Sequence, residues 1–253
     1  IFVVTGANRG IGLSLGTQIS ATSKVIATVR SKEGSKSSAL FKLNNVEVVE
    51  LDVFSESSID AAVKEIETLA PTGIDGIWNN AGVSNVSNVD FEMAPVNFDG
   101  LQKEITTNAI GPSYLTSKLI PPLEKRTTKK IMFISTLAGS LTAMSNMPDI
   151  LDDLALPYTY STSKIALNSL GFFLYHQLSK KGFTVLLLHP GVVLTDMAKG
   201  AFSEDGEVKK LPVEILTPNE SSEKLIQTTK DVDGQASDYR FALRNYDGTI
   251  WPF

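Results

Sequence analysis

The 253-residue chain has no cysteine and only two histidines, His176 and His189. The first absence excludes disulfides, thiolate metal sites and a cysteine nucleophile. The second leaves a histidine-based metal centre or triad almost the whole supply to consume, so no metal is expected. Positive charge is also scarce: the net charge is -5, and the basic pairs Lys129-Lys130, Lys180-Lys181 and Lys209-Lys210 are too short for a phosphate-tracking stripe. A nucleic-acid partner is therefore not expected. No apolar run approaches the roughly 20 residues that span a bilayer, and nothing reads as a signal peptide. The expectation is a protein without a membrane partner, placed in the cytoplasm. With 42% hydrophobic and 20% charged residues, disordered and fibrous classes drop out, and the length suffices for a substantial core.

Strand-length apolar runs at 1–5, 24–29, 46–51, 74–78, 130–135 and 183–189 alternate with helically spaced segments at 11–20, 57–69, 98–124 and 161–180. That alternation predicts parallel strands joined by helical crossovers. The runs are apolar at consecutive positions, as in strands covered on both faces. The predicted fold class is α/β: a single domain over 1–253, a doubly wound, Rossmann-like parallel sheet with helices on both faces and ligands at the carboxyl ends of its strands. Two segments, 141–157 and 195–218, break the rhythm just after strand ends and read as substrate lips. The alternative for each is a surface excursion with no role.

Straight after the first run stands TGANRGIG, with glycines at 6, 10 and 12. So little side chain between a strand and a helix suits a tight turn over which a phosphate approaches the backbone. Alone the GxxxGxG spacing is a weak signal. It is followed by NNAG at 79–82, Asn108, ISTLAG at 134–139, YSTSK at 160–164 and HPG at 189–191. In this order and approximate spacing the six pieces resemble the short-chain dehydrogenase/reductase family over nearly the whole chain. The opening TGANRGIGL, the TDM at 195–197 and the ending NYDGTIWPF resemble the sniffer and C-factor type of carbonyl reductase within it.

The chemistry is legible in the residues themselves. Tyr160 and Lys164 are four apart on a predicted helix and so share a face. A free tyrosine titrates near pKa ~10, and a neighbouring ammonium favours the phenolate, so the pair is expected to make a proton donor and acceptor with a lowered phenol pKa. A tyrosine and lysine at this spacing are also common on any helix surface; the other motifs select the functional reading. Thr136 stands where the family usually carries serine. Its hydroxyl can still donate one hydrogen bond to a substrate carbonyl, while its methyl narrows the pocket. Ser135 is the runner-up, although alternation along the strand aims it to the opposite face. The resemblance implies that Asn108 bends its helix and holds a water linked to the lysine, which completes a catalytic set of Asn108, Thr136, Tyr160 and Lys164. His189 reads as a packed residue, and His176 receives no role.

For the cofactor the resemblance implies NADP(H). Gly6, Asn8, Arg9, Gly10, Ile11 and Gly12 would form the phosphate turn, and Asp52 and Val53 would meet the adenine. Asn79, Ala81 and Gly82 would line the adenine ribose side. Pro190, Gly191, Val193 and Thr195 would sit at the nicotinamide end, with Tyr160 and Lys164. No carboxylate ends the second strand, which reads KVIATVRS; Arg30 and Arg9 instead offer two planar forks suited to phosphate oxygens and favour NADPH over NADH. The expected activity is NADPH-dependent reduction of a small ketone or aldehyde, with Tyr160 as proton donor. The alternatives are a dinucleotide-binding sensor or scaffold, toward which the Thr136 departure leans, and a biosynthetic ketoreductase or alcohol dehydrogenase. Leu137, Met144, Met147, Leu151, Leu154, Leu156 and Phe202 suggest an apolar substrate mouth, and helices 98–124 and 161–180 could join a homo-oligomer.

Overall fold

The computed structural model describes residues 1–36, 38–84, 96–147, 157–198, 203–204, 207–208, 214–232, 234 and 239–253. Six parallel strands correspond to the six apolar runs: β1 (Phe2–Val4), β2 (Val25–Val29), β3 (Val46–Glu50), β4 (Gly76–Asn79), β5 (Lys130–Ile134) and β6 (Thr184–His189). Beyond them lie β7 (Val192–Val193), β8 (Ser203–Glu204), β9 (Glu207–Val208), β10 (Ile215–Leu216), β11 (Leu243–Asn245) and β12 (Ile250–Trp251). The main sheet runs β12-β11-β6-β5-β4-β1-β2-β3, while β10 pairs with β7 and β8 with β9. The order reverses between β1 and β4, which puts the ligand crevice at the carboxyl ends of those strands.

The consecutive apolar residues divide between two cores. Val3, Ile131, Phe133 and Leu187 face one layer, where α2 (Glu56–Leu69), α4 (Gly111–Lys118) and α7 (Tyr158–Leu178) contribute Ile66, Leu115 and Leu167. Val4, Met132, Ile134 and Leu188 face the other, closed by Leu15 of α1 (Gly10–Ser20) and Leu225 of α8 (Pro218–Asp231). Each fully buried aliphatic side chain contributes about 1.5–3 kcal/mol, so burial on both faces holds the sheet between its helices. The helix starts are written locally. Ser55 accepts from Ser58 N at the head of α2, and Thr217 and Glu220 form a capping box at the head of α8, with Pro218 in the first turn. No helix among the described residues is long and apolar enough to cross a membrane.

Two expectations are corrected. The segment 98–124 is not one helix but α3 (Phe98–Ile105), a π turn at Thr106–Ile110, α4 and α5 (Ile120–Glu124). Its apolar spacing is helical throughout, but Pro112, Pro121 and Pro122 have no N–H to give the carbonyls of Asn108, Ser117 and Lys118 four residues back. The sheet also continues past β6: β11 adds in parallel and β12 folds back antiparallel. Both strands are too short and too polar to stand out as apolar runs.

Candidate active site

A cavity of about 830 Å³ opens across the carboxyl ends of the strands. Its floor at one end is the turn between β1 and α1. Gly6 adopts φ +64°, and a Cβ on Gly12 would lie 2.3 Å from the Gly6 carbonyl oxygen. The turn is clamped to the end of β4: Thr5 Oγ1 accepts from the N–H groups of Asn80 and Ala81, both at 2.9 Å, and Asn80 Nδ2 donates to Thr5 O at 2.9 Å. Arg9, the N-cap of α1, makes no side-chain cap, so the first N–H groups of the helix are left for an anionic ligand. That uncapped terminus, behind a turn without side chains, is the fit expected for a dinucleotide pyrophosphate.

Of the expected cofactor residues, Gly6, Asn8, Arg9, Gly10, Ile11 and Gly12 line this cavity together with Arg30. Asp52, Val53, Ala81, Gly82, Pro190, Gly191, Val193 and Thr195 line it as well, Thr195 against the glycine turn at Gly10. The Asp52 carboxylate accepts from Phe54 N at 3.0 Å, which holds it at the cleft. Arg9 reaches across to Asp196, with Nη1 and Oδ2 3.6 Å apart. Asn79 departs from expectation. It is the last residue of β4, buried on the helix side, and its Nδ2 donates to Thr116 Oγ1 at 2.9 Å. Strand alternation turns it away, and Asn80, one residue on, takes the place at the cavity.

At the far end Tyr160 and Lys164 line the cavity from α7, and Thr136 faces them from the end of β5. Thr136 Oγ1 accepts from Ala138 N at 3.2 Å, leaving its proton to donate. Ser135 turns the other way and donates to Asn168 Oδ1 at 2.5 Å, as strand alternation predicts. Lys164 is only 4% exposed, and its Nζ donates to Ile134 O at 2.8 Å. Burial lowers its pKa to about 8, against the opposing pull of the Glu104 carboxylate. The expected acidification of Tyr160 is not what the structure gives: burial, and then the Glu104 charge, push the phenol above its ordinary value. The reason is geometric. The ammonium is directed to the Ile134 carbonyl and sits 5.7 Å from the tyrosine ring centroid, so it does not solvate the phenol oxygen directly.

Asn108 is also placed differently. It sits in the π turn, 1% exposed and outside the cavity lining. Its Oδ1 accepts from Val83 N at 2.8 Å, and its Nδ2 donates to Val83 O at 2.8 Å and to Ser163 Oγ at 2.9 Å. Both amide hydrogens are thus committed to protein, and the side chain acts as a brace. The brace joins the NNAG loop to α7, where Ser163 Oγ donates to Tyr160 O at 2.6 Å.

Several lining residues carried no assignment from the sequence. His189 lines the cavity with Nδ1 accepting from Leu137 N at 3.4 Å, and burial lowers its pKa to about 4 despite nearby Asp247, so it is neutral. Asn245 and Trp251 arrive on the two C-terminal strands, and Tyr246 in the turn between them. The Asp247-Gly248 pair between them was a usable hairpin signal. Leu137, Met144 and Met147 line the mouth as expected, the last two from or beside α6 (Leu141–Asn146), and Met197 joins them. Leu151, Leu154, Leu156 and Phe202, with much of the segments 141–157 and 195–218, lie outside the described residues.

A family model described as short chain dehydrogenase matches residues 1–206. An uncharacterized oxidoreductase of Schizosaccharomyces pombe is 32% identical over 270 residues, covering 100% of this chain and 98% of the relative. Among solved structures, the NADPH-bound carbonyl reductase from chicken fatty liver is similar with TM-score 0.83 and 29% identity, over 100% of this chain and 98% of that one. The carbonyl reductase Sniffer of D. melanogaster is similar with TM-score 0.80 and 25% identity, again over 100% and 98%.

Proposed function

The chain belongs to the short-chain dehydrogenase family, and we propose that within it the protein is an NADPH-dependent carbonyl reductase converting a ketone or aldehyde to an alcohol. The observation that carries this reading is the meeting of Tyr160, Lys164 and Thr136 at one end of a cavity whose other end holds an uncapped helix N-terminus flanked by Arg9 and Arg30. The likeness to a carbonyl reductase with NADPH bound supports both the activity and the cofactor.

Bound NADPH would supply the hydride, which goes to the carbonyl carbon. The protein's own part is alignment, charge and a proton. Thr136 donates its hydroxyl hydrogen to the substrate oxygen as negative charge grows there. Tyr160, held neutral, gives that oxygen its proton, and the phenol is reloaded afterwards from solvent. Lys164, anchored on Ile134 O, provides the cation that stabilises the phenolate left behind. Arg9 and Arg30 would hold the 2′-phosphate as charge-assisted forks. Glycines 6 to 12 and the head of α1 would hold the pyrophosphate. Asp52 and Val53 would hold the adenine, and Pro190 to Thr195 the nicotinamide amide. The apolar mouth of Leu137, Met144, Met147 and Met197 suits a largely apolar substrate.

The test is consumption of NADPH with a panel of aldehydes and ketones, in the native protein and in Tyr160→Phe. Turnover that disappears in the variant while NADPH still binds supports the reading. Tight binding with no turnover of any carbonyl overturns it in favour of a dinucleotide sensor.

A further inference from the structure

A third side chain of α7 follows Tyr160 and Lys164 on the same face and has no part in the chemistry described so far. Asn168 stands one turn beyond Lys164 and two beyond Tyr160; it is 4% exposed and lies outside the cavity lining. An amide buried to that degree is costly unless it is hydrogen-bonded, and a leucine would fill the space at less cost. Its bonds show what it holds. Nδ2 donates to Gly139 O at 2.8 Å, and Oδ1 accepts from Ser135 Oγ at 2.5 Å. The Gly139 carbonyl can only accept, which fixes the orientation of the amide and makes Ser135 the donor.

These two contacts bracket Thr136. The backbone of this stretch is bonded to the sheet at Ser135 N, which donates to Leu188 O at 2.7 Å. The chain then leaves β5 in the short helical turn Leu137–Gly139. Its internal bonds, Ala138 N to Thr136 Oγ1 at 3.2 Å and Gly139 N to Thr136 O at 2.9 Å, close the turn on itself but do not set where it sits. On one side Leu137 N reaches His189 Nδ1 at 3.4 Å. Asn168 ties both ends to the helix that carries Tyr160. The seat is close: a Cβ on Gly139 would lie 2.8 Å from Asn168 Nδ2 and 3.2 Å from Lys164 Cβ. With Lys164 on Ile134 O, α7 grips the end of β5 and the turn after it at three points.

We propose that Asn168 is a positioning residue for carbonyl reduction: by holding Ser135 and Gly139 it fixes the turn between them, so that the Thr136 hydroxyl is presented to the same substrate oxygen that Tyr160 protonates. The inference rests on the reading of Thr136 and Tyr160 as the groups that meet that oxygen. A misplacement of about 1 Å can cost about 10²-fold in rate, so a side chain outside the cavity can still set kcat.

The experiment measures kcat, KM and the Kd of NADPH for N168L, which keeps the volume and removes both bonds, alone and combined with T136V. N168L is expected to lower kcat about 10–10²-fold, with KM and Kd within about threefold of the native values. In the T136V background, where the donor that the turn presents is already gone, the same substitution is expected to cost less than about threefold more. A native kcat in N168L overturns the proposal, and so does an equal loss in both backgrounds, which would mark Asn168 as general packing. A second arm needs no turnover: hydrogen exchange of the Gly139 and Ser140 amides in the complexes with NADP⁺. It is expected to be about tenfold or more faster in N168L than in the native protein, with the α7 amides unchanged. Coincident exchange, or exchange raised equally along α7, sinks the inference. If no carbonyl is turned over, the reductase reading fails while this arm still judges Asn168. Where N168L folds too weakly to measure, S135A, which unties one end of the turn, takes its place with the same outcomes.

Discussion

Lys164 and Tyr160 share one face of α7 without a hydrogen bond between them: the ammonium is given to Ile134 O at 2.8 Å and stands 5.7 Å from the tyrosine ring centroid. The lysine is thereby tied to the end of β5, and the tyrosine meets it only at the ring.

Its pH dependence follows. With the Lys164 pKa lowered to about 8, the ammonium is present below that pH and lost above it, so the rate of reduction is expected to fall as pH rises through about 8. Lys164→Met should lose about 10²-fold or more in kcat and flatten this limb. Stability runs the opposite way. Between about 8 and the ordinary 10.5, the unfolded lysine holds a proton that the folded one has shed, so this group makes the protein more stable as pH rises across that window. Urea midpoints of native and Lys164→Met protein, compared through the window, check the sign.

Thr136 offers one hydroxyl proton toward the cavity while its oxygen accepts from Ala138 N. Thr136→Val, which keeps the shape and deletes the donor, is expected to lower kcat by about 10²–10³-fold, and Thr136→Ser to preserve it. Kd for NADPH, measured by fluorescence, should stay within a few-fold in both. A Thr136→Val enzyme with unchanged kcat would transfer the oxyanion role elsewhere.

Arg30 closes β2 where a carboxylate would select NAD, and it lines the same cavity as Arg9. Arg30→Ala is expected to weaken NADPH by about 10–100-fold, as a lost charge-assisted hydrogen bond of ~1.5–3 kcal/mol implies, with little change for NADH. Thermal shifts with each nucleotide at equal concentration read this directly. Equal losses for both cofactors would remove the phosphate from the argument.

His189 is kept neutral down to about pH 4 by burial, against an ordinary value of 6.5. Between those values the unfolded histidine takes up a proton and the folded one does not. Its contribution to stability is therefore intact above about pH 6.5 and is lost as pH falls toward 4. Replacing His189 by Asn should make acid unfolding shallower over that window, as followed by circular dichroism, with NADPH binding at neutral pH retained.

Much of the molecule was legible because its signals are local. Six runs of consecutive apolar residues mean strands buried on both faces, and Val3 beside Val4 or Phe133 beside Ile134 each serve a different core. The glycine turn likewise announces itself, since few other residues tolerate that backbone. The helix at 98–124 misled because periodicity is blind to hydrogen-bond donors, and three prolines cut it into α3, the π turn, α4 and α5.

The sequence by itself determined which side chains with useful chemistry exist and at what spacing: the glycines ahead of α1, Tyr160 four before Lys164, arginines where an acid would select NAD. Only the tertiary structure decided what those groups are. It turned Asn79 to Thr116 and Asn80 to the cleft, made Asn108 a brace, and brought Asn245 and Trp251 from the chain's end into the cavity. The physical reason is that periodicity and backbone preference act between near neighbours along the chain, whereas burial and charge act through space, and it is these that fix where a proton rests.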